Sequence, residues 1–298
     1  MGDIITTTGL NKYFGNNHAL RDMSVSIPEN SITGIIGRNG SGKTTLLKIL
    51  SGRLDKTDGE VRVFGSDPMD NLSVLSNLVY SYHNLEYNSG ITLKMILYSY
   101  KTMFPDFDLS FAEKLLKYFD LNGKMKYKNL SQGMGSALNF ICALACRSRL
   151  TIFDEPVLGM DITVRKSVYE ILLRDFTEFP RTILVSSHLL GEIEGILSDI
   201  LLIEQGKVVL HNAIDDVRQS AYSVNGDQAA VEKYCVGKKV IANKFSNLFN
   251  YAIIYEPLTE QARVDSQALG LMVEPVRTEE LCAFLTRRNK EEELECLW

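Results

Sequence analysis

The sequence predicts an α/β protein with a parallel sheet, an antiparallel β subdomain, a helical insert and a small C-terminal α+β extension. Three observations predict this fold. The apolar runs 150–153 and 182–186 are separated by a helical segment at 164–176, which is the pattern of parallel strands joined by a crossover helix. Short β-type runs with turn signals fill residues 4–64, and helical periodicity dominates residues 91–150.

The individual elements follow in chain order. The first strands are predicted at 4–8, 23–27, 31–36 and 61–64. After the helical insert, a strand pair at 200–204 and 208–210 flanks a Gln-Gly-Lys turn. The tail shows β-like pieces and one helix, at 239–242, 251–255 and 278–288. The pattern therefore predicts a domain at 1–215, with a helical subdomain at about 84–148, and an accessory domain at 216–298.

Composition limits the function classes. With 298 residues and 45% hydrophobic content, the chain can bury one large core, or one core and a small second domain. Its 32 basic and 37 acidic residues give a net charge of −5, which gives no reason to expect a nucleic-acid partner. The cysteines form no zinc-type pair and favour reduced thiols, and no apolar stretch is long enough to cross a bilayer. A membrane role would therefore need a separate spanning subunit.

A phosphate-binding loop is the most specific motif. Residues 37–44, Gly-Arg-Asn-Gly-Ser-Gly-Lys-Thr, fit G-x-x-x-x-G-K-[ST] between an apolar run and an amphipathic run. Glycines let backbone N–H groups turn toward phosphates, Lys43 can reach the outer phosphates, and Thr44 can ligate Mg²⁺. The sequence thus predicts a P-loop NTPase core. Its candidate nucleotide contacts are Gly37, Asn39, Gly40, Ser41, Gly42, Lys43, Thr44 and Thr45.

Two adjacent carboxylates end a predicted strand. Asp154 and Glu155 follow the apolar run 150–153. Because successive strand residues point to opposite sides, the two side chains can serve different tasks. We expect Asp154 to bind Mg²⁺ and Glu155 to polarise the water that attacks the γ-phosphate. A solvated acidic turn is the alternative interpretation.

Further motifs carry a resemblance to a known family. The segment 130–134, Leu-Ser-Gln-Gly-Met, resembles the L-S-G-G-Q signature of ATP-binding cassette (ABC) proteins. Residues 157–161 resemble that family's D-loop, and His188 matches its switch histidine. Tyr13 occupies the position of its adenine-stacking aromatic residue, although simple packing is the alternative for this side chain. The motifs span about residues 4–210 in the family's order.

The resemblance implies a mechanism and a partner chain. Two cassettes would pair head to tail, with each ATP and its Mg²⁺ held between the P-loop of one copy and the signature of the other. Ser131, Gln132 and Gly133 are the candidate signature contacts, while His188 would hold the water and Glu155 in line. At the position of the family's usual glutamine stands His83, a candidate for contact with Mg²⁺ or its water. Gln132 and Met134 also depart from the usual signature.

The function implied is that of an ATPase subunit of an exporter for a peptide, antibiotic or lipid-like substance. It would lie at the cytoplasmic face of the cell membrane on a separate permease, which the aromatic segment 80–111 is expected to contact. One alternative is a soluble cassette ATPase that acts on ribosomes or DNA. The other is a P-loop small-molecule kinase, which leaves the signature and His188 unexplained.

Overall fold

The computed structural model of the chain describes residues 2–82, 85, 87–246 and 250–286. The chain divides into two units, residues 1–211 and 212–298, and the division falls inside a strand. Each unit has a hydrophobic core of its own. None of the helices in the described ranges has the length and apolar character needed to cross a bilayer.

The elements have the following bounds. The strands are β1 Asp3–Phe14, β2 Asn17–Pro28, β3 Ile32–Ile36, β4 Asp58–Val63, β5 Leu78–Tyr82, β6 Leu150–Asp154, β7 Thr182–Ser187, β8 Asp199–Glu204, β9 Lys207–Ala213, β10 Tyr222–Asn225, β11 Val240–Lys244, β12 Tyr251–Ile254 and β13 Met272–Pro275. The helices are α1 Lys43–Leu50, α2 Leu72–Leu75, α3 Leu93–Met103, α4 Leu109–Tyr118, α5 Gln132–Cys146, α6 Ile162–Glu178, α7 Leu190–Ile193, α8 Ile214–Gln219, α9 Gln228–Cys235, α10 Glu260–Ala268 and α11 Thr278–Leu285. Short 3-10 turns lie at Tyr127–Asn129 and Glu194–Ile196.

A six-stranded sheet in the order β5-β6-β7-β3-β8-β9 forms the centre of the first unit. The neighbours from β5 to β8 are parallel. Every residue of β3, β6 and β7 is buried, as expected for strands covered on both faces. Since the strands are parallel, the carboxyl ends of β3, β5, β6 and β7 meet at one edge. This edge positions the loop after β3 and the carboxylate of Asp154.

A three-stranded antiparallel sheet, β2-β1-β4, accompanies the central sheet. Its apolar side chains join those of α1 and the central strands in one hydrophobic cluster. The strands β1 and β2 are longer than the sequence predicts. Their pairing contains several register shifts, and such irregularities break the alternation of polar and apolar residues by which strands are recognised.

The helical insert consists mainly of α3, α4 and α5. Thr92, Asp108 and Ser131 cap these helices, each accepting a hydrogen bond from a backbone N–H of the first turn. Helix α5 is buried throughout its second part, residues 136–146. The signature segment at the start of α5 is therefore attached to a helix that is embedded in the core.

The second unit begins with α8 and continues in the order β10-α9-β11-β12-α10-β13, followed by α11. Its antiparallel sheet runs β11-β12-β10-β13, the split β-α-β arrangement of ferredoxin-like folds. Tyr222 and Val224 from the sheet pack with Val231 and Tyr234 from α9 in a separate core. With the parallel sheet, the antiparallel sheet and the insert, this extension confirms the predicted α/β fold class.

Candidate nucleotide site

The predicted P-loop connects β3 to α1. Gly40 and Gly42 have φ angles of 80° and 112°, in the region that favours glycine. A Cβ atom at Gly42 would lie 2.9 Å from the carbonyl oxygen of Ala19, so this position also lacks room for a side chain. Helix α1 begins directly after it, and the N–H groups of a helix N-terminus favour an anion.

Lys43 is the buried cation of the loop. Its side chain is 6% exposed, and its Nζ donates to the carbonyl oxygens of Gly37 at 2.7 Å and Arg38 at 3.3 Å. The same nitrogen lies 3.8 Å from Oε1 of Glu155. Burial lowers the pKa of Lys43, while the charges of Glu155 and Asp154 act in the opposite direction. The carbonyl oxygens of the loop and the carboxylate of Glu155 thus both position this ammonium group.

The other predicted loop residues differ in exposure. Asn39 and Thr44 are exposed and Thr45 is half-buried. Ser41 is buried, and its hydroxyl has no hydrogen-bond partner among the residues that the structure describes. Thr44 can be reached by a ligand from solvent, and Ser41 has a free donor inside the loop. Both properties suit a site that binds an anion with its counter-cation.

Asp154, the last residue of β6, is buried and accepts one hydrogen bond on each oxygen. Its Oδ1 accepts from the Ser186 hydroxyl at 2.6 Å and its Oδ2 from the Tyr80 hydroxyl at 3.1 Å. Burial, with the carboxylate of Asp154, raises the pKa of Tyr80. The phenol therefore stays protonated and keeps donating to Asp154.

Glu155 lies beyond the end of β6, in the left-handed region with φ 51°. The predicted alternation of strand side chains is therefore not what separates its direction from that of Asp154. Its backbone N–H donates to the Ser186 hydroxyl at 2.9 Å, and its Oε2 lies 3.0 Å from Nδ1 of His188. Since Oε1 faces Lys43, each oxygen of this carboxylate has one ionisable neighbour.

Ser186 and Tyr80 are site residues that sequence reasoning missed. In the sheet Asp154 is paired in register with Ser186 on one side and with Tyr82 on the other. The Ser186 hydroxyl orients both adjacent acidic residues, because it donates to one side chain and accepts from the backbone of the next. Its position two residues before His188 was a usable signal, whereas Tyr80 could be found only from the strand order.

The signature segment packs against the predicted D-loop. Ser131 caps α5 by accepting from the N–H of Met134 at 3.3 Å. A Cβ atom at Gly133 would lie 2.5 Å from the carbonyl oxygen of Gly159, and the Ser136 hydroxyl donates to the carbonyl oxygen of Leu158 at 2.8 Å. Among the described residues, no hydrogen bond or ion pair joins Ser131, Gln132 or Gly133 to the P-loop of the same chain.

Tyr13 lies on the β1–β2 hairpin with 46% of its surface exposed. Its ring stacks on that of His18, its partner across the hairpin, with centroids 3.9 Å apart and planes inclined by 14°. The ring of His18 thus covers one face of the Tyr13 ring. This arrangement favours an exposed aromatic platform over a position in the core. No described hydrogen bond or ion pair links this platform to Lys43.

The metal prediction rests on Asp154, Thr44 and His83. His83 lies outside the described residues. Within the described ranges no cluster of three or more histidine, cysteine or acidic side chains could hold a metal ion alone. Mg²⁺ in phosphoryl-transfer sites uses one or two protein oxygens together with phosphates and water. The buried carboxylate of Asp154 and the exposed hydroxyl of Thr44 therefore fit this ion.

Comparison with known proteins decides the family. Residues 20–158, which include the P-loop, the signature and the acidic strand end, match the family described as ABC transporter. The bacitracin transport ATP-binding protein BcrA of Enterococcus faecalis is 30% identical over 209 residues, which cover 69% of this chain and 68% of that protein. The chain belongs to the ABC transporter ATP-binding family.

Other ABC proteins show the same relationship. The ABC transporter ATP-binding protein YtrB of Bacillus subtilis is 28% identical over 210 residues, which are 70% of this chain and 72% of that protein. The lantibiotic transport ATP-binding protein SrtF of Streptococcus pyogenes is 30% identical over 214 residues, which are 69% of this chain and 89% of that protein. The predictions of ATP as ligand and of an ATPase are thus confirmed at the level of the family.

Solved structures of ABC cassettes share the fold at lower identity. An ATP-binding subunit of an ABC transporter has a TM-score of 0.64 and 22% identity, covering 72% of this chain and 92% of that one. A dimeric cassette bound to ADP and phosphate has a TM-score of 0.61 and 20% identity, covering 70% and 98%. These structures are similar to this protein in the fold of its first unit.

Proposed function

We propose that this ABC protein is the ATP-hydrolysing subunit of a membrane exporter for an amphipathic peptide, an antibiotic or a lipid-like substance. The observation that carries the proposal is the convergence of Lys43, Glu155 and His188 beside the buried carboxylate of Asp154. The substance class is supported by relatives named for the transport of bacitracin and lantibiotics. The site of action is the cytoplasmic face of the cell membrane.

Binding of the nucleotide uses the P-loop and the hairpin platform. The loop N–H groups and Lys43 hold the phosphates, and adenine stacks on the exposed face of Tyr13. Thr44 and Asp154 would hold Mg²⁺, and His83 is a third candidate. The ion, when bound, would supply neutralisation of phosphate charge.

Hydrolysis uses Glu155 as the general base. The carboxylate accepts a proton from water as the water oxygen attacks the γ-phosphorus and the bond to ADP breaks. His188 fixes the orientation of this carboxylate through the 3.0 Å contact to Oε2. Ser186 adds a second constraint by binding the backbone of Glu155.

Two copies of the chain together complete two ATP sites, each formed by both copies. Ser131 and Gly133 stand at a helix N-terminus, which is suited to a γ-phosphate bound by the other copy. The close contact of Gly133 with Gly159 makes the signature and the D-loop one packed surface. ATP favours the closed dimer because it contacts both copies only in that state.

The permease is expected to bind along α3. Tyr98 and Met103 are 49% and 72% exposed, and Met95 is exposed beside them. A shallow groove of about 450 Å³ lies along this face, between Ile91 and Thr102. Of the aromatic residues predicted to form the docking surface, Tyr80 and Phe107 are buried in the core instead. Exposed aromatic and methionine side chains are typical of interface cores.

Capture of the tagged protein from detergent-solubilised membranes of its native host tests the proposal. A polytopic membrane protein should accompany the wild type, and the Tyr98→Ala, Met103→Ser double variant should lose it. Leu72→Ala, which changes an exposed apolar residue on α2, is the matched control and should retain capture. Recovery of ribosomes or DNA, or equal capture by all three proteins, would contradict the exporter function. The net charge of −5 gives no reason to expect a nucleic-acid partner.

A further inference from the structure

Asn139 is a polar side chain in an apolar stretch of the signature helix. It is 2% exposed, and its neighbours on α5, from Ala137 to Ile141, are otherwise buried apolar residues. A buried amide destabilises a protein unless its groups are hydrogen-bonded. The partners of Asn139 therefore explain what the residue does.

Both amide atoms bond outside α5. Nδ2 donates to the carbonyl oxygen of Tyr82 at 3.2 Å, and Oδ1 accepts from the Tyr87 hydroxyl at 3.3 Å. The Ser81 hydroxyl donates to the backbone oxygen of Asn139 at 3.3 Å. Since Tyr82 ends β5, this one residue joins the signature helix to the strand end and to Tyr87.

The donors in this network have a fixed direction. A carbonyl oxygen only accepts, so Nδ2 must face Tyr82 and Oδ1 must face Tyr87. Tyr87 has one proton and uses it for Asn139, so the Tyr100 hydroxyl, 3.1 Å away, donates to Tyr87. Burial raises the pKa of both Tyr87 and Tyr100, and both phenols remain donors. The bonds form one continuous chain, Tyr100 to Tyr87 to Asn139 to Tyr82.

This chain of hydrogen bonds joins three elements that the proposed function uses. Tyr82 is paired in register with Asp154, the candidate magnesium ligand. Asn139 lies on the helix that Ser131 caps at the signature. Tyr100 lies on α3, which carries the proposed permease surface at Tyr98 and Met103.

We propose that Asn139 is a positioning residue for ATP hydrolysis. It holds the signature helix at a fixed place relative to the end of β5 and hence to Asp154, and through Tyr87 it links both to α3. The inference rests on the proposed roles of Asp154 and the signature. A shift of α3 on the permease would then change the position of the signature relative to the metal-binding strand.

Four variants test the proposal: Asn139→Ala, Asn139→Asp, Tyr87→Phe and the double variant Asn139→Ala, Tyr87→Phe. The aspartate keeps the size but cannot donate to Tyr82 when ionised. We expect Asn139→Ala, which removes both side-chain hydrogen bonds, and Asn139→Asp, which removes the one to Tyr82, to lower kcat about tenfold because the signature helix is displaced, with ATP Kd changed less than about twofold. The double variant should have a kcat no lower than that of Asn139→Ala, because both changes break the same chain of hydrogen bonds.

Two controls separate positioning from stability. Leu138→Ala removes a buried apolar side chain from the same helix and should lower Tm while leaving kcat near the wild-type value. Asn122→Ala removes an exposed asparagine of the insert, whose Oδ1 accepts only from the local N–H of Lys124, and should leave kcat unchanged. The proposal is overturned if Asn139→Ala keeps wild-type kcat, if the effects of Asn139→Ala and Tyr87→Phe simply add, or if kcat falls equally in Leu138→Ala.

These outcomes are distinct from failure of the proposed function. A wild-type protein that hydrolyses no ATP contradicts the general-base role of Glu155 and, with it, any role of Asn139 in turnover. Normal wild-type hydrolysis with no response to the Asn139 variants overturns only the positioning role.

Discussion

Asp154 and Glu155 are adjacent, yet their surroundings differ. Asp154 is buried, and the hydroxyls of Ser186 and Tyr80 occupy one lone pair on each oxygen. Glu155 is turned by its left-handed backbone toward Lys43 and His188. A carboxylate held rigidly suits a metal ligand, whereas one that faces ionisable neighbours suits proton transfer.

Glu155→Gln tests the general base. The amide keeps the size of the side chain but accepts a proton poorly, so the hydrolysis rate should fall by about 10²- to 10⁴-fold. ATP binding should persist, because Asp154 and the P-loop are unchanged. Steady-state phosphate release and equilibrium ATP binding measure the two effects. Glu178→Gln, an exposed change at the end of α6, is the control, and similar losses in both variants would contradict the role.

Ser186→Ala tests the hydroxyl that bridges the two acidic residues. Its loss leaves Oδ1 of Asp154 and the N–H of Glu155 without this partner, so we expect about a tenfold loss of kcat and a destabilisation of about 1–3 kcal/mol. Ser186→Thr retains a hydroxyl and should recover part of the activity. Phosphate-release assays and chemical denaturation follow the two quantities. Equal activity of the alanine variant and the wild type would show that the bridge has no role.

At the scale of elements, burial decides what the sequence could predict. The strands β3, β6 and β7 are buried on both faces and read as apolar runs. Strand β5 was missed because the hydroxyls of Tyr80 and Ser81 look polar in sequence, while in the fold they bond to residues 74 and 58 positions away. Partners at such a distance leave no local pattern.

The same reasoning explains the partial prediction of the site. The P-loop, the two carboxylates and His188 occur in short local motifs, and the structure places Lys43 within reach of Glu155 and Glu155 within reach of His188. Tyr80 and Asn139 depend on strand order and on the contact of α5 with β5, which no motif encodes. In the second unit, the four-residue strands β10 and β13 mix apolar and polar residues and show no clear period, whereas the equally short β12 is an apolar run.

Gly133→Ala tests the contact between α5 and the D-loop. A methyl group there would approach the carbonyl oxygen of Gly159 to 2.5 Å, so the signature must move away. Hydrolysis should fall, while ATP affinity of the isolated chain should stay unchanged because the P-loop is untouched. Gly135→Ala meets no atom within 4 Å and should stabilise α5 by up to about 1 kcal/mol. ATPase assays and thermal unfolding of both variants give the comparison, and equal activity would argue against the contact.

At the scale of the whole molecule, the buried tyrosine side chains predict that the fold loses stability at alkaline pH. Burial raises the pKa of Tyr87 and Tyr100 above the ordinary value of 10.0. Their neutral forms stabilise the fold fully below pH 10, and this stabilisation is lost as the pH rises further. Each of the two phenols should then lower the free energy of unfolding by about 1.4 kcal/mol per pH unit.

Denaturant titrations at several alkaline pH values measure this effect. Tyr87→Phe should reduce the slope of unfolding free energy against pH, because one raised pKa is removed. Tyr98→Phe, at an exposed position of α3, is the matched control. An identical slope for Tyr87→Phe and the wild type would mean that this phenol ionises normally in the folded protein.

Strand β5 is one of the two edge strands of the central sheet. An open strand edge invites pairing with another chain and so promotes aggregation. Here the strand has only five residues, and the Asn139 amide already occupies the carbonyl oxygen of its last residue. The same amide that we assign to positioning thus also protects a sheet edge, so its loss exposes a hydrogen-bond acceptor where a second copy could misassemble during synthesis.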